Sequence, residues 1–417
     1  MSEERKKALK IAEAGYQAID SENVINGAVS VSDDALKVQG KEFPLGKGKI
    51  LVIGIGKCSL SAAGALEKIL GDRISGGAVL DVKEGKLERL ETYKGTHPLP
   101  SPQNKKATER IVSLLSGLSE DDLVIFIISG GGSTLLYLPE EGRESEELPV
   151  IHALMDAGAS IQEMNTVRKH MSKARGGYLA KYIYPARGIA MIFSDVPAND
   201  IGFISSGPTV KDVTTIEEAE KVLSKYGILE KCGLKNCGLI QTPKEDKYFE
   251  KMTNLLVVSN QTALDAMKNE AEKLGLKVKM CSSCLAGEAR EVGKGLVDEL
   301  NKDAEPGTVM LYGGETTVTV KHDNPGGRNQ ELALSALRYI GEGQIVMPLA
   351  SDGIDNTDHA GAICDTISAK KAKDLNLDLE DYLSRNDSYD FWQKVGDFIL
   401  TGDTGSNVSD LIVTIKF

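Results

Sequence analysis

The feature that most constrains this chain is the stretch from Asp121 to Leu136, which reads DDLVIFIISGGGSTLL. Leu123 to Ile128 are apolar without polar alternation and rich in β-branched residues. This pattern predicts a strand covered on both faces, as in a parallel α/β sheet. Three glycines follow at the carboxyl end of that strand, and Ser133 and Thr134 can begin the next helix.

The glycine stretch after this strand predicts a ligand pocket. Glycines let the backbone turn sharply and bring N–H groups close to a ligand, and a helix start attracts anions. In open α/β sheets, ligands bind beyond the carboxyl ends of the strands. We therefore predict a phosphate site here, the alternative being a glycine turn that binds nothing. Its residues are Ser129, Gly130, Gly131, Gly132 and Ser133.

Length and charge limit the class of protein. The 417 residues favour two domains, and the formal net charge of −12 opposes binding to nucleic acid or to anionic membranes. The sequence contains neither a signal-peptide pattern nor a run approaching the ~20 apolar residues of a membrane span. We expect a cytoplasmic protein, and both a monomer and a homodimer stay open.

Predicted strands and helices alternate along the chain, which indicates an α/β fold with a mainly parallel sheet. Composition changes after Tyr226, where no clear period is found, and this segment is interpreted as the linker. The predicted domains are 1–236 and a smaller α/β domain, 237–417. Helical spacing in the first twenty residues predicts an amphipathic helix packed on the first domain.

Two charged residues follow other predicted strands. Lys57 lies in the turn after Lys49 to Ile55, where an ammonium can neutralise a phosphate or carboxylate, although a solvated helix-start lysine is the alternative. Asp195 follows the strand Gly188 to Phe193, and its carboxylate can hold Mg²⁺ or accept a proton. Both are candidate catalytic residues.

A basic cluster lies within the helical pattern between Ile151 and Tyr184. It could be a solvated helix face, but in an acidic chain it suggests an anionic ligand. The role of His97 in a proline-rich connection stays open. The cluster comprises Arg168, Lys169, His170, Lys173 and Arg175.

The second half of the chain offers a similar set of polar residues. The predicted strand Thr308 to Tyr312 ends in Gly313, Gly314 and Glu315. Arg328 follows another glycine pair at a helix start, where a guanidinium can grip a phosphate or carboxylate bidentately. Acidic residues, including Asp352 and Asp355, then follow a predicted strand, and a polar-substrate or Mg²⁺ site is more plausible there than a calcium loop.

The six cysteines do not indicate a disulfide framework. Cys281 and Cys284 form a C-x-x-C, which Cys232 and Cys237 could complete as a zinc site, and a redox pair is another option. Buried structural thiols are favoured over both because Cys232 and Cys237 are separated by four residues rather than two.

Several motifs in order resemble one family. They read MNTVRKHMSKARGG, SDVPANDIGFISSGPTV, GGETTVTV, GGRNQE, SDGIDNTDHAGA and TGSNVSDL. Together they are similar to the MOFRL-type, or class II, glycerate kinases along the whole chain. The resemblance implies a Rossmann-like N-terminal domain and a MOFRL-type C-terminal domain. It also implies transfer of the ATP γ-phosphoryl group to D-glycerate, giving 2-phospho-D-glycerate, with Mg²⁺ required.

Phosphoryl transfer needs alignment and charge neutralisation, so we assign roles on this basis. ATP phosphates would contact the Ser129–Ser133 loop, and Lys57 and Arg328 would face the phosphoryl group and the glycerate carboxylate. Asp195 would be the base or the metal ligand, in a cleft between the domains. Further contacts to the cofactor would come from Gly313, Gly314 and Glu315, and contacts to the substrate would come from Arg168, Lys169, Asp352 and Asp355. Asp352 and Asp355 are second choices for the role of Asp195.

Two other functions stay open. Relatives of this family have been labelled hydroxypyruvate reductases, but a dinucleotide fingerprint would need a third glycine where Ser59 stands. A non-catalytic sensor of a nucleotide or small acid would share every glycine loop. Turnover separates the three, since a kinase consumes ATP, a reductase consumes a nicotinamide and a sensor consumes neither.

Overall fold

The computed structural model describes residues 1–196 and 199–417. These divide into two compact units. We call Val24–Val257 the N-terminal unit, and Met1–Asn23 together with Val258–Phe417 the C-terminal unit. Among the helices of the described residues, none combines the length and the apolarity needed to cross a membrane.

The chain begins with helix α1 (Glu3–Ile19), which confirms the predicted N-terminal helix. Its Arg5 guanidinium is buried and donates hydrogen bonds to Asp365 (2.6 Å) and Asp397 (2.7 Å). These carboxylates belong to the C-terminal unit, so the expectation that α1 packs on the first domain is wrong. Amphipathic spacing indicates that one helix face is buried, but it does not identify what covers that face.

The N-terminal unit is built on a six-stranded sheet in the order β6-β5-β4-β7-β8-β9. The first five strands in this order, β6, β5, β4, β7 and β8, pair in parallel. A small antiparallel sheet is formed by β1 (Val29–Val31), β2 (Ala35–Val38) and β3 (Lys41–Pro44). The main strands are β4 (Ile50–Ile55), β5 (Gly76–Asp81), β6 (Glu91–Lys94), β7 (Leu123–Ile128), β8 (Arg187–Phe193) and β9 (Met252–Val258). Every residue of β7 is buried, as its apolar run predicts.

Helices connect these strands. Helix α7 begins at a capping box, in which the Ser160 hydroxyl accepts from the Glu163 N–H, and it ends in basic residues that suit a helix C-terminus. The helices are α2 (Ser21–Ala28), α3 (Ser59–Leu70), α4 (Pro102–Leu114), α5 (Gly132–Leu135), α6 (Glu147–Asp156), α7 (Ile161–Lys169), α8 (Tyr178–Ile183), α9 (Ile216–Lys225) and α10 (Ile228–Lys231).

The C-terminal unit has a mixed six-stranded sheet in the order β10-β11-β15-β12-β13-β14, in which only β10 and β11 pair in parallel. Its strands are β10 (Lys277–Glu288), β11 (Thr308–Thr317), β12 (Gln344–Ala350), β13 (Gly361–Ala362), β14 (Phe398–Ile399) and β15 (Asp410–Lys416). Its helices after α1 are α11 (Asn260–Lys273), α12 (Ala289–Asp303), α13 (Arg328–Ala336), α14 (Thr366–Asp374), α15 (Leu379–Ser384) and α16 (Ser388–Val395).

The compact units differ from the predicted domains 1–236 and 237–417. Strand β9 falls within the predicted second domain, 237–417, but it is the sixth strand of the N-terminal sheet. The aperiodic segment after Tyr226 therefore lies inside the N-terminal unit rather than between the two units. A change in composition indicates a segment without helix or strand, but it does not show where a domain ends. Strand pairing decides which unit the following residues belong to.

Candidate active site

The glycine loop follows β7, as predicted, and its glycines are required by close approaches. Gly131 has φ +84°, in the left-handed region that favours glycine. A Cβ at Gly130 would lie 1.9 Å from Asp195 Oδ2, and one at Gly132 would lie 2.1 Å from Ser205 Oγ. The loop therefore packs directly against functional groups that follow β8.

Lys57 and Asp195 both meet this loop. Lys57 follows β4, and its backbone N–H donates to the Gly130 carbonyl (3.0 Å). Its Cε lies 3.3 Å from the position of a Cβ at Gly131. The Lys57 ammonium forms no ion pair within residues 1–196 and 199–417. The structure thus brings Lys57, Asp195 and the glycine loop together at the carboxyl edge of the parallel strands, where ligands bind in such folds.

A cavity of about 470 Å³ opens beside the loop, and we call it the N-terminal cavity. One face of α7 lines it, because Ile161, Asn165 and Arg168 are spaced by four and three residues. Its lining residues are Gly130, Gly131, Ser133, Ile161, Gln162, Asn165, Arg168, Asp195, Val196, Asp200, Phe203 and Ser205.

The basic cluster is divided by the fold. Arg168 is half-buried at the N-terminal cavity, and in the described part of the chain its guanidinium has no ion-pair partner. Burial, with the nearby charge of Arg175, lowers the pKa of Arg168. Arg175 itself is fully buried and donates to Glu147 Oε1 (2.7 Å) and to the Arg168 carbonyl (3.2 Å). Of these two arginines, only Arg168 faces the cavity.

Lys169 was predicted to bind substrate, but its ammonium is engaged elsewhere. It is buried, lies 3.2 Å from Asp212 Oδ1 and stacks over the Phe203 ring at 5.6 Å. Although burial of Asp212 opposes it, the positive charge of Lys169 keeps the pKa of Asp212 below its ordinary value. This geometry gives Lys169 the role of a buried ion-pair partner and does not place it among the cavity residues.

His97 lies beside the same loop, with its Cδ2 3.4 Å from the position of a Cβ at Gly131. The residue is partly exposed. Desolvation by the surrounding loop, with the positive charges of Lys57 and Arg168, lowers the pKa of His97 to about 4. The imidazole is therefore uncharged at neutral pH, and it marks a local positive potential at the glycine loop.

A strained turn supports the loop from the opposite side. Ser205, Ser206 and Gly207 have φ values of +52°, +60° and +57°, and left-handed serines are uncommon. The Ser205 hydroxyl donates to the Ser129 carbonyl (2.7 Å), while Ser206 Oγ lies 2.8 Å from Ser133 Oγ. The turn thereby fixes the conformation of the glycine loop.

In the C-terminal unit, Arg328 begins α13 as predicted, but its charge is already paired. Its Nε donates to Asp410 Oδ2 (2.5 Å) and its Nη2 to Oδ1 (3.0 Å), while Glu315 Oε1 lies 3.3 Å away. Burial raises the pKa of Asp410 while Arg328 opposes that shift. A cavity of about 600 Å³, which we call the C-terminal cavity, is lined by Arg328, Glu315 and Asp352 among others.

The predicted loop at Gly313 and Gly314 is wrong, because β11 continues through both residues to Thr317. Gly313 pairs with Leu411 on one neighbouring strand, and Gly314 pairs with Leu285 on the other. A Cβ at Gly313 would lie 1.6 Å from the buried Asn260 Oδ1. These glycines permit close packing inside the sheet and do not form an open phosphate cradle.

Asp355 and Asp352 differ in what they can bind. Asp355 is buried and accepts hydrogen bonds from the backbone N–H groups of Asn329 (3.2 Å) and Gln330 (2.9 Å), so it caps α13 from another segment. Burial raises the pKa of Asp355. Asp352 accepts from the Ile354 N–H (3.0 Å) and lines the C-terminal cavity. Both residues line the C-terminal cavity, but the Asp355 carboxylate is already engaged as the cap of α13.

No group of three or more His, Cys, Asp or Glu side chains in the described residues is arranged to hold a metal ion. All six cysteines are free thiols. Cys281 and Cys284 lie on β10, at the edge of the C-terminal sheet, whereas Cys232 and Cys237 belong to the N-terminal unit. Asp195 Oδ2 lies against Gly130 of the glycine loop.

Comparison with known proteins identifies the family. A family model described as a domain of unknown function (DUF4147) matches residues 7–235, and the MOFRL family matches residues 308–410. The chain is 39% identical to a glycerate 2-kinase from Pyrococcus horikoshii over 99% of its length and 97% of the relative. It belongs to the MOFRL-type glycerate kinase family.

Two further relatives agree with this MOFRL-type family assignment. The chain is 38% identical to a D-glycerate 2-kinase from Thermotoga maritima, with 88% of this chain and 90% of the relative covered. The crystal structure of a glycerate kinase from Thermotoga maritima superposes with a TM-score of 0.87 at 34% identity, covering 99% of both chains. The recognition made from the motifs and the predicted α/β fold class are thereby confirmed.

Asn165, Ser205 and Ser206 lie outside the set of residues predicted to form the site of this MOFRL-type chain. Asn165 is part of the motif used for recognition, but only its charged neighbours were given roles. The SSGP segment by itself predicts a plain β-turn, since nothing local reveals left-handed serines. The nearest signal was the density of hydroxyl groups within a Gly-Pro segment.

Proposed function

We propose that this chain is an ATP-dependent D-glycerate 2-kinase, acting from the N-terminal cavity. The observation that carries the proposal is that Arg168 lines the cavity beside Gly130 and Gly131, while Lys57 packs against Gly131 of the same loop, at the carboxyl edge of the parallel sheet. Neither cation has an ion-pair partner within the described residues. Unneutralised cations beside backbone N–H donors suit a substrate pair that carries several negative charges.

The charged groups around the glycine loop and the loop itself each have a role in this proposal. Backbone N–H groups of the glycine loop bind ATP phosphates, and the Lys57 ammonium stabilises charge on the transferring phosphoryl group. Arg168 binds the glycerate carboxylate. Asp195 accepts the proton of the glycerate 2-hydroxyl. The hydroxyl oxygen bonds to the γ-phosphorus as the bond between that phosphorus and the ADP oxygen breaks.

The residues present also fit Mg²⁺. Mg²⁺ commonly uses one or two protein carboxylates together with phosphates and water, so it does not need a preformed cluster. The Asp195 carboxylate packs against Gly130 in the phosphate loop, which is the position such a ligand requires. When bound, Mg²⁺ would supply additional neutralisation of phosphate charge.

Arg328, Glu315 and Asp352 enter the proposal as the groups of the C-terminal unit that contact nucleotide or substrate. Because Asp410 and Glu315 already bind Arg328, we expect it to contribute less to anion binding than Lys57 does. Gly313, Gly314, Asp355 and Lys169 carry no role in the proposed mechanism. The location of the active site in an interdomain cleft, and residence in the cytoplasm, stay predictions.

The test is an ATP-dependent assay on D-glycerate with Mg²⁺, with enolase to detect the product, because enolase accepts 2-phosphoglycerate and not the 3-phospho isomer. ADP formation with an enolase-competent product is the expected result. ADP without such a product would reject the assignment to the 2-hydroxyl. No ADP above background, with NADH or NADPH oxidation on hydroxypyruvate, would reject the kinase in favour of a reductase.

A further inference from the structure

A second polar side chain in the N-terminal cavity lacks a partner. Asn165 is only 7% exposed, yet its Nδ2 has no hydrogen-bond partner in the described part of the chain. Buried amide donors are rarely left unpaired, because a donor removed from water loses its hydrogen bonds. Since Asn165 also lines the cavity, its orphaned donor indicates a ligand that would accept from it.

The orientation of this amide is set by two serines. Ser206 Oγ donates to Asn165 Oδ1 (2.7 Å), and Ser206 Oγ lies 2.8 Å from Ser133 Oγ of the glycine loop. Ser206 is held in a left-handed conformation, and its carbonyl accepts from the Gly176 N–H (2.9 Å). Because Oδ1 is occupied, Nδ2 is the atom of the amide that remains for a ligand.

Asn165 also shares a helix face with the cavity's unpaired guanidinium. Arg168 follows it by three residues on α7, so the two side chains are neighbours on the surface of that helix. An amide N–H beside a guanidinium is a donor set for a carboxylate, since both groups donate and only one carries charge. Among the residues of α7 that line the N-terminal cavity, Arg168 is the one with a positive charge.

We propose that Asn165 is a substrate-binding residue, whose Nδ2 donates to the carboxylate of the hydroxy acid that Arg168 holds. This rests on the proposed function and deepens it, because it assigns the carboxylate subsite to one face of α7. The relay from Ser133 through Ser206 to Asn165 then links this subsite to the phosphate loop. Asn165 thus selects for a small carboxylic acid.

The decisive variant is Asn165→Asp, which retains an acceptor for Ser206 but replaces the Nδ2 donor with negative charge. We expect KM for D-glycerate to rise ~100-fold or more, because the introduced carboxylate would face the carboxylate of the substrate. KM for ATP should stay within about threefold. Thr166→Asp is the matched control, since it also adds one negative charge to α7, at a residue that does not line the N-terminal cavity. We expect it to raise KM for glycerate less than about tenfold.

Calorimetric titration of D-glycerate without nucleotide separates this inference from the kinase proposal. If the wild type binds glycerate and Asn165→Asp does not, the subsite stands even if no ADP forms. If the wild type is a kinase but Asn165→Asp keeps KM for D-glycerate within threefold, or Thr166→Asp matches its effect, the subsite is wrong. Equal rises in both KM values, or no glycerate binding by the wild type, would also overturn it.

Discussion

The two cavities each contain an arginine, and the surroundings of those arginines differ. In the N-terminal cavity, Arg168 has no carboxylate partner among the described residues, and Lys57 beside the glycine loop has none either. In the C-terminal cavity, Arg328 is held by Asp410 and Glu315. A cation that is already paired gains less from binding an anion, because the ligand must compete with carboxylates in place. Residue type alone therefore does not indicate an anion site.

The glycines of the two units differ in the same way. Gly130–Gly132 form a turn at the end of β7, where Cβ atoms would collide with Asp195 and Ser205. Gly313 and Gly314 lie inside β11, where Cβ atoms would collide with Asn260 and with the backbone of Leu285. Gly130–Gly132 let the loop backbone approach polar side chains of the proposed site, whereas Gly313 and Gly314 let neighbouring elements pack closely against β11.

Replacement of Lys57 should have the largest effect on activity. Lys57→Met removes the unpaired ammonium at the phosphate loop, and we expect kcat/KM to fall ~10³-fold with little change in melting temperature. Lys47→Met, at an exposed lysine before β4, is the control and should behave as the wild type. Steady-state kinetics that place Lys57→Met within tenfold of the wild type would remove Lys57 from the mechanism.

Removal of each arginine tests the comparison of the two cavities directly. Arg168→Met should raise KM for glycerate ~100-fold without loss of stability, since no ion pair is broken. Arg328→Met should lower activity and also reduce the free energy of unfolding by about 2 kcal/mol, because it leaves the buried Asp410 without its donor. Urea denaturation and kinetics on both variants measure this contrast.

A double variant isolates the cause of the Arg328 effect. Arg328→Met combined with Asp410→Asn should recover part of the lost stability, because the unpaired buried charge is gone. If Arg328→Met is instead as stable as the wild type, or if Arg168→Met is the one that unfolds, the distinction between a paired and an unpaired arginine is wrong.

Alanine at the two glycine sites should separate function from packing. Gly313→Ala would meet Asn260, which is buried and bound to the Val408 and Asp410 carbonyls (2.9 and 3.1 Å), so we expect a loss of ~1–3 kcal/mol of stability. Gly130→Ala would press on the more adaptable Asp195 side chain, and it should reduce kcat more than stability. Equal losses of stability in the two variants would contradict this difference.

The pKa of His97 reports the electrostatic potential at the glycine loop, and the expected change in it is the smallest of the effects predicted here. Its pKa of about 4 lies below the ordinary value of 6.5, so between these pH values the unfolded chain binds more protons at His97. His97 therefore opposes folding as the pH falls through this range and has no effect above it. NMR titration should show that Lys57→Met raises this pKa, whereas Lys47→Met does not. An unchanged pKa in Lys57→Met would show that Lys57 does not create the local potential.

The sequence alone determined those parts of the protein in which neighbouring residues carry the information. The apolar run Leu123–Ile128 predicted the central strand, because a charge-free run is stable only when both faces are covered. The glycines after it predicted the loop, and the order of short motifs predicted the family. Lys57 and Asp195 could be placed at the sheet edge, since the carboxyl ends of parallel strands lie on one side.

Only the tertiary structure decided which charges are neutralised and which backbone segments pair. The partner of Arg328 is Asp410, 82 residues later, and nothing near either residue indicates that they meet. The same holds for β9, which returns to the first sheet. It also holds for Asn165, whose Oδ1 accepts from Ser206 while its Nδ2 has no partner among the described residues. Local patterns encode burial and backbone conformation, but the partner of a polar group is set by long-range packing.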